Sequence, residues 1–194
     1  MNPILRILTG AVSAPAVALA LTLTLVACSP ALNWRSVPVP EADLTVTLPC
    51  KPDTAHRTVE LAGAPAELAM VGCEADGAVF AVSHTAMADP ALVGKALVHW
   101  RAAVMANLGA QQPAATASAA ATDTPFTPRG ALVLPQSVRT VVQGRRPDGS
   151  AVTAQAVWFA RASGSQIRLY HAVVYTAKPR PELADQFFSG LVLP

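Results

Sequence analysis

The residues that could do chemistry in this chain are few and widely spaced. Four histidines, His56, His84, His99 and His171, are the candidates for acid–base or metal work. No two of them stand four apart in an HExxH setting, the arrangement that puts two imidazoles and a general base on one metal. His84 and His171 fall on predicted strands, and neighbouring strands would bring them together, with Glu74 or Asp76 as oxygen ligands. The plainer reading is ordinary sheet residues, and no metal site is assigned. Serine nucleophiles of the hydrolase type need a strained GxSxG elbow, and none is present. Arg161-Ala162-Ser163-Gly164-Ser165 reads as a flexible turn, because a phosphate cradle needs further glycines and a following helix. Arg139, Arg145 and Arg146 gather around one hairpin, either as a contact for an acidic partner or lipid headgroup or as a solvated rim. No catalytic residue and no cofactor is assigned, and the chain reads as a non-enzyme.

The cysteines carry more information. Residues 1–27 hold one charge, Arg6, before an uncharged run from Ile7 to Ala27, as in an export signal. The run ends in Leu25-Val26-Ala27-Cys28, followed by Ser29-Pro30. This resembles the lipobox of bacterial lipoproteins, and the resemblance implies cleavage before Cys28 and lipid attachment to it. The same 21 uncharged residues are long enough to span a bilayer, so an uncleaved anchor is the alternative. Gly10, Ser13 and Pro15 make it a mediocre span. Either way, residues 29–194 face the periplasm, and Ser29 after the cysteine resembles the outer-membrane sorting choice. Several acyl chains anchor stably where a single chain does not. With Cys28 lipidated, Cys50 and Cys73 remain, and an exported chain in an oxidising compartment pairs such a couple. A two-cysteine metal site would need further ligands nearby, and none is there.

Composition excludes two classes. The hydrophobic set makes up 52% of the 194 residues and charged residues only 13%, so the chain is not of the disordered class. Fourteen basic residues against twelve acidic ones leave a net charge of +2, too weak a field for a nucleic-acid binder.

Around these residues the pattern predicts one domain over 43–194, preceded by a tether over 28–42 that holds Pro30, Pro38 and Pro40. Leu44, Val46 and Leu48 alternate with Thr45 and Thr47, a half-buried strand ended by Pro49. Further strands are predicted at Arg57–Leu61, Glu67–Glu74 and Ala78–Thr85, with Gly63-Ala64-Pro65 and Asp76-Gly77 as turns. Cys50 should lie past its strand end, because strands one and three of a flat meander stand about 9.5 Å apart and a disulfide needs about 5.5–6 Å. Asp89 is a fitting N-cap before Pro90, and Gly109 a terminator. Between them Leu92, Ala96, Trp100, Ala103, Val104 and Leu108 form an apolar arc that packs on a sheet. Residues 110–128 are rich in Ala, Thr and Pro and read as a flexible loop. Strands Val138–Gly144, Ala151–Ala160 and Gln166–Thr176 follow, with a β-turn at Arg146-Pro147-Asp148-Gly149. A short helix, Pro181–Ser189, buries Leu183 and Phe187 before Leu191-Val192-Leu193 docks. The result is an α+β sandwich: a mostly antiparallel sheet of six or seven strands, with one long and one short helix held to one face.

Leu44-Thr45-Val46-Thr47-Leu48-Pro49 near the start and Leu183-Ala184-Asp185-Gln186-Phe187-Phe188-Ser189-Gly190-Leu191 near the end resemble the PsbP-like fold over Leu44–Leu193. That family includes extrinsic photosystem subunits and a small Ran-binding nuclear transport factor. The resemblance implies the fold and transfers no binding residue. The chain also resembles small proteobacterial lipoproteins with no assigned activity. Two functions remain open: a lipid-anchored accessory or assembly factor for an envelope complex, or a periplasmic protein binding a small ligand or metal in a pocket near Trp100 and Trp158.

Overall fold

Strand β2 (Leu44–Leu48) shows its pattern directly: Leu44, Val46 and Leu48 are buried while Thr45 and Thr47 are half-buried. The structure, a computed structural model, describes residues 31–109 and 121–194. The signal segment and Cys28 lie outside the described residues, as do 110–120. Antiparallel to β2 runs β1 (Arg35–Val39), with Arg35 opposite Leu48 and Val39 opposite Leu44. The expected tether over 28–42 is therefore folded from β1 onward, with Pro40–Ala42 a 3-10 turn that buries Ala42. Its prolines hid this. Pro38 is tolerated because β1 is an edge strand, where a missing N–H interrupts no ladder. The other edge of β2 is closed by the C-terminal tail, where Thr45 and Val192 exchange two 2.9 Å backbone bonds.

The larger sheet holds seven antiparallel strands in the order β3-β4-β5-β9-β8-β7-β6. They are β3 (Asp53–Leu61), β4 (Ala64–Ala75), β5 (Ala78–Met87), β6 (Thr122–Pro125), β7 (Val138–Arg145), β8 (Ala151–Ser163) and β9 (Gln166–Thr176). Two corrections arise here. The first turn is Ala62-Gly63, both at positive φ, so Ala64 and Pro65 belong to β4 instead of the loop. Within the expected loop over 110–128, Thr122–Pro125 is a strand that pairs with β7. It has no apolar face, and it is held by its backbone and by Asp123, which accepts from Arg101 at 2.6 Å and from Thr140 at 2.7 Å.

The central strands are apolar on both sides. Nine consecutive residues of β8, Val152 to Ala160, are buried, the signature of a strand covered on both faces. Val157, Phe159, Tyr170, Ala172 and Val174 meet the two-stranded sheet and helix α2 (Pro181–Ser189). Ala154, Ala156, Trp158, Leu169 and Val173 meet helix α1 (Val93–Asn107). The helices thus lie on opposite faces, where the sequence pattern put both on one. That pattern could not count the β1–β2 layer, which shares the second face with α2.

Asp89 caps a 3-10 turn, Pro90–Leu92, that leads into helix α1, its side chain accepting from Ala91 N at 2.9 Å, and Gly109 follows the helix end at φ +62°. Its buried stripe is Val93, Ala96, Leu97, Trp100 and Met105, rotated from the predicted arc. Leu92 and Ala103 face solvent instead. The Cys50–Cys73 disulfide forms, with Cα atoms 5.9 Å apart. Cys50 does lie past its strand end, and it joins the small sheet to β4 across layers.

The end of α1 docks closely on β7. Arg145 N donates to Leu108 O at 2.9 Å, and a Cβ on Gly144 would stand 2.3 Å from that oxygen. Backbone on both sides leaves no room to yield. Gly144→Ala is expected to cost about 1–3 kcal/mol of stability, read as a lower midpoint in thermal or urea unfolding. An unchanged midpoint would show that the helix end can move away.

Candidate functional site

The structure separates the histidines. His56 is exposed on β3. His99, on α1, accepts from Ala62 N at 3.0 Å through Nδ1 and ties the helix to the first hairpin. His84 and His171 do lie on neighbouring strands, but the register sets His84 opposite Tyr170 and Ser83 opposite His171. Directly paired residues share a face and successive ones alternate, so the two imidazoles point to opposite sides of the sheet. Glu74 pairs with Val79, five residues along β5 from His84, and Asp76 is bound by Arg180 at 2.8 Å. Among the described residues no three of His, Cys, Asp and Glu are grouped to hold a metal.

His171 is stacked on Trp158, ring centroids 4.9 Å apart at 24°, with Trp100 at 5.6 Å. These rings fill the space where a pocket near Trp100 and Trp158 was expected. His171 Nε2 and Trp158 Nε1 are buried without a hydrogen-bond partner. Burial pushes His171 down to about 3, so the ring is neutral at neutral pH. His84 is also lowered, first by burial and then by Arg168, whose guanidinium stands 3.3 Å from Nδ1. Both imidazoles are buried.

The arginines are dispersed as well. Arg139 and Arg145 lie six residues apart on β7, about 20 Å, so they do not form one rim with Arg146. Arg145 donates to Gly149 O at 2.9 Å and braces the turn. Arg139 donates to Asp185 and Gln155, both at 2.6 Å, and lies over the Phe188 ring at 5.2 Å. The Arg161–Ser165 turn is clamped: Arg161 donates to Asp43 O at 3.2 Å and Ser163 donates to the Asp43 carboxylate.

Arg139 instead belongs to a groove of about 560 Å³ between the loop after β6, α2 and the C-terminal tail. Phe126, Phe188, Leu191 and Leu193 give it an apolar floor, and Arg129, Arg139, Asp185 and Ser189 its polar groups. That size lies in the range of binding sites, about 300–1,000 Å³. The loop is held by Phe126 N to Ser137 O at 3.0 Å and Leu132 N to Ala160 O at 2.7 Å. Gly130, at φ +86°, lets it approach Leu193, where a Cβ would be 3.2 Å from the side chain. Arg139 is paired within the wall, while Arg129 is exposed. The groove can hold an apolar segment and meet an anionic group at Arg129. Its residues come from three distant stretches, and Arg129 stands just after the segment that reads as a loop, so no local spacing announces it.

No known protein family matches the chain, and no curated protein does. A solved structure of a Pseudomonas aeruginosa protein of unknown function is similar over 82% of this chain and 96% of that one, at 16% identity and a TM-score of 0.37. At that distance neither fold nor function transfers. The architecture itself is α+β. No helix among the described residues is long and apolar enough to cross a membrane.

The buried imidazole sets a pH dependence. His171 takes up a proton at about 6.5 when unfolded and about 3 when folded, so the unfolded state binds more protons between these values and stability falls as pH drops through that window. His84 adds to the same trend. His171→Phe keeps a ring on Trp158 and should remove on the order of 2 kcal/mol of the loss between pH 6.5 and 4.5. Denaturant unfolding at a series of pH values measures it, and an equally steep fall in the variant would refute the assignment.

Proposed function

We propose that this chain is a bacterial envelope lipoprotein, anchored through lipid on Cys28 to the outer membrane, whose domain serves as a non-catalytic accessory or assembly factor. The observation that carries the reading is a contrast within the domain. His84, His99 and His171 are each committed to packing or to a hydrogen bond, whereas the groove around Arg129 offers apolar surface with an exposed cation. The Cys50–Cys73 bridge supports an oxidising compartment. Leu25-Val26-Ala27-Cys28 supports the anchor. In this reading the groove receives a segment of an envelope protein. The second reading is a periplasmic small-ligand protein, favoured by the groove's volume, with the ligand in the same place.

In-cell crosslinking of the tagged full chain, followed by mass spectrometry of co-purified proteins, separates the two. One envelope complex should be enriched with the native chain, and lost with Cys28→Ala and with Arg129→Glu at equal protein levels. His171→Phe should retain it and still complement a deletion strain. Enrichment of no protein, with a small molecule retained by the purified chain in native mass spectrometry, would overturn the accessory reading in favour of the second. Loss of complementation by a folded His171→Phe variant would count against a non-catalytic role.

A further inference from the structure

Strand β3 is nine residues long, and seven of them, Asp53 to Thr58 and Glu60, are exposed. It pairs with β4 alone and forms one edge of the seven-stranded sheet. The opposite edge, β6, is four residues long and ends in Pro125. Short edges and prolines blunt unwanted pairing; β3 is long and proline-free, and its charged side chains, Asp53, Arg57 and Glu60, restrict which partner it can accept. Neither layer that covers the sheet reaches past Val59 on this strand, since the two cores take only Leu61 and Val59 from it.

Which groups point outward follows from the hairpin. Leu61 and Ala64 flank the two-residue turn Ala62-Gly63, and flanking residues of such a turn form a hydrogen-bonded pair. Counting back by twos, Arg57 and Val59 direct their backbone toward β4. Thr54, His56, Thr58 and Glu60 direct theirs away from it. Among the described residues these outward groups have no backbone partner.

We infer that β3 is a self-association edge, and that it pairs antiparallel with β3 of a second copy about a two-fold axis through Thr58. An antiparallel ladder must match outward residues with outward residues, which leaves few registers, and the side chains choose among them. Centring on Arg57 sets two guanidinium groups against each other, and centring on His56 sets the two imidazoles against each other and places Arg57 opposite Ala55, with no pair of opposite charge. Centring on Thr58 places each His56 opposite Glu60 of the other strand, so that an imidazole N–H meets a carboxylate twice. Arg57 then lies opposite Val59, and no like charges are opposed. Three outward pairs, the two His56–Glu60 pairs and the Thr58 pair, complete the ladder. The two seven-stranded sheets become one continuous sheet, and the groove beside Arg129, at the far edge, stays open on each copy.

The test uses the full chain carrying Thr58→Cys. Residues of a hydrogen-bonded antiparallel pair have Cα atoms about 5.5 Å apart, within disulfide reach. Oxidation with copper phenanthroline should give a disulfide-linked dimer on non-reducing gels. Thr54→Cys, whose two copies would stand about 27 Å apart in this register, should not crosslink. His56→Glu sets glutamates against each other twice and should weaken association about tenfold, and His56→Glu with Glu60→Lys should restore it. Sedimentation of the chain without added cysteine, in detergent, should report a dimer. A monomer in sedimentation, a Thr58→Cys adduct to a different protein, or equal crosslinking through Thr54→Cys would each overturn the proposal.

Discussion

Everything in this domain depends on a central sheet that is apolar on both faces. Strands β8 and β9 carry Trp158 and Val173 on one side and Phe159 and Tyr170 on the other. A single layer of helix would leave one of these surfaces in water, at about 25 cal/mol for each Å² exposed. The chain meets the requirement twice. On one face α1 lays its Trp100 stripe over Trp158 and His171. On the other, β1, β2, α2 and the C-terminal tail assemble a second cover, and its seam is closed by the bonds between Thr45 and Val192. The Tyr170 hydroxyl, deep in that layer, donates to Ala42 O at 2.6 Å and so pins the start of the domain to its centre. The Cys50–Cys73 bridge ties the same cover to β4 covalently and restricts the unfolded chain.

Both candidate surfaces lie where this double covering stops. The groove forms at the rim of the second layer, where α2 and the tail end short of β7 and the loop after β6 comes over to meet them. Arg139 is held there by Asp185, Gln155 and Phe188, which makes it a wall of the groove and leaves Arg129 as the exposed cation. At the other extreme, β3 runs beyond both covers, so its backbone and most of its side chains face solvent. The polar groups inside the covers are spent on the fold: His171 fills space between two tryptophans, His99 ties helix to hairpin, and Arg161 and Ser163 hold Asp43 in its left-handed turn.

Features governed by neighbours in sequence were legible in the sequence itself. The alternation of Leu44 to Leu48, the Asp76-Gly77 turn, the Asp89-Pro90 helix start and the bounds of β9 and α2 are local events, and they stand where the pattern put them. The pairing of Cys50 with Cys73 was legible too, by elimination once Cys28 was set aside. What escaped was set by distant parts of the chain. Strand β1 hid behind its prolines because edge strands tolerate them. Strand β6 has no apolar face and is recruited by Arg101 and Thr140 from elsewhere. The buried face of α1 is rotated by one position, so that Leu97 and Met105 are covered while Leu92 and Ala103 face solvent. The two helices went to opposite faces because an unforeseen layer occupied part of one. The groove draws on three separated stretches, and neither composition nor spacing marks residues that meet only after folding.

In the proposed function Cys28 carries the anchor, and the Cys50–Cys73 bridge forms on the oxidising side of a membrane. Intact mass spectrometry of the chain extracted from membranes in detergent, with and without reductant, tests both together. The expected result is that residues 1–27 are absent, that acyl mass is attached at Cys28, and that reduction adds two hydrogens for the Cys50–Cys73 bond. A chain that retains Met1, carries no acyl group and gains no mass on reduction would contradict it.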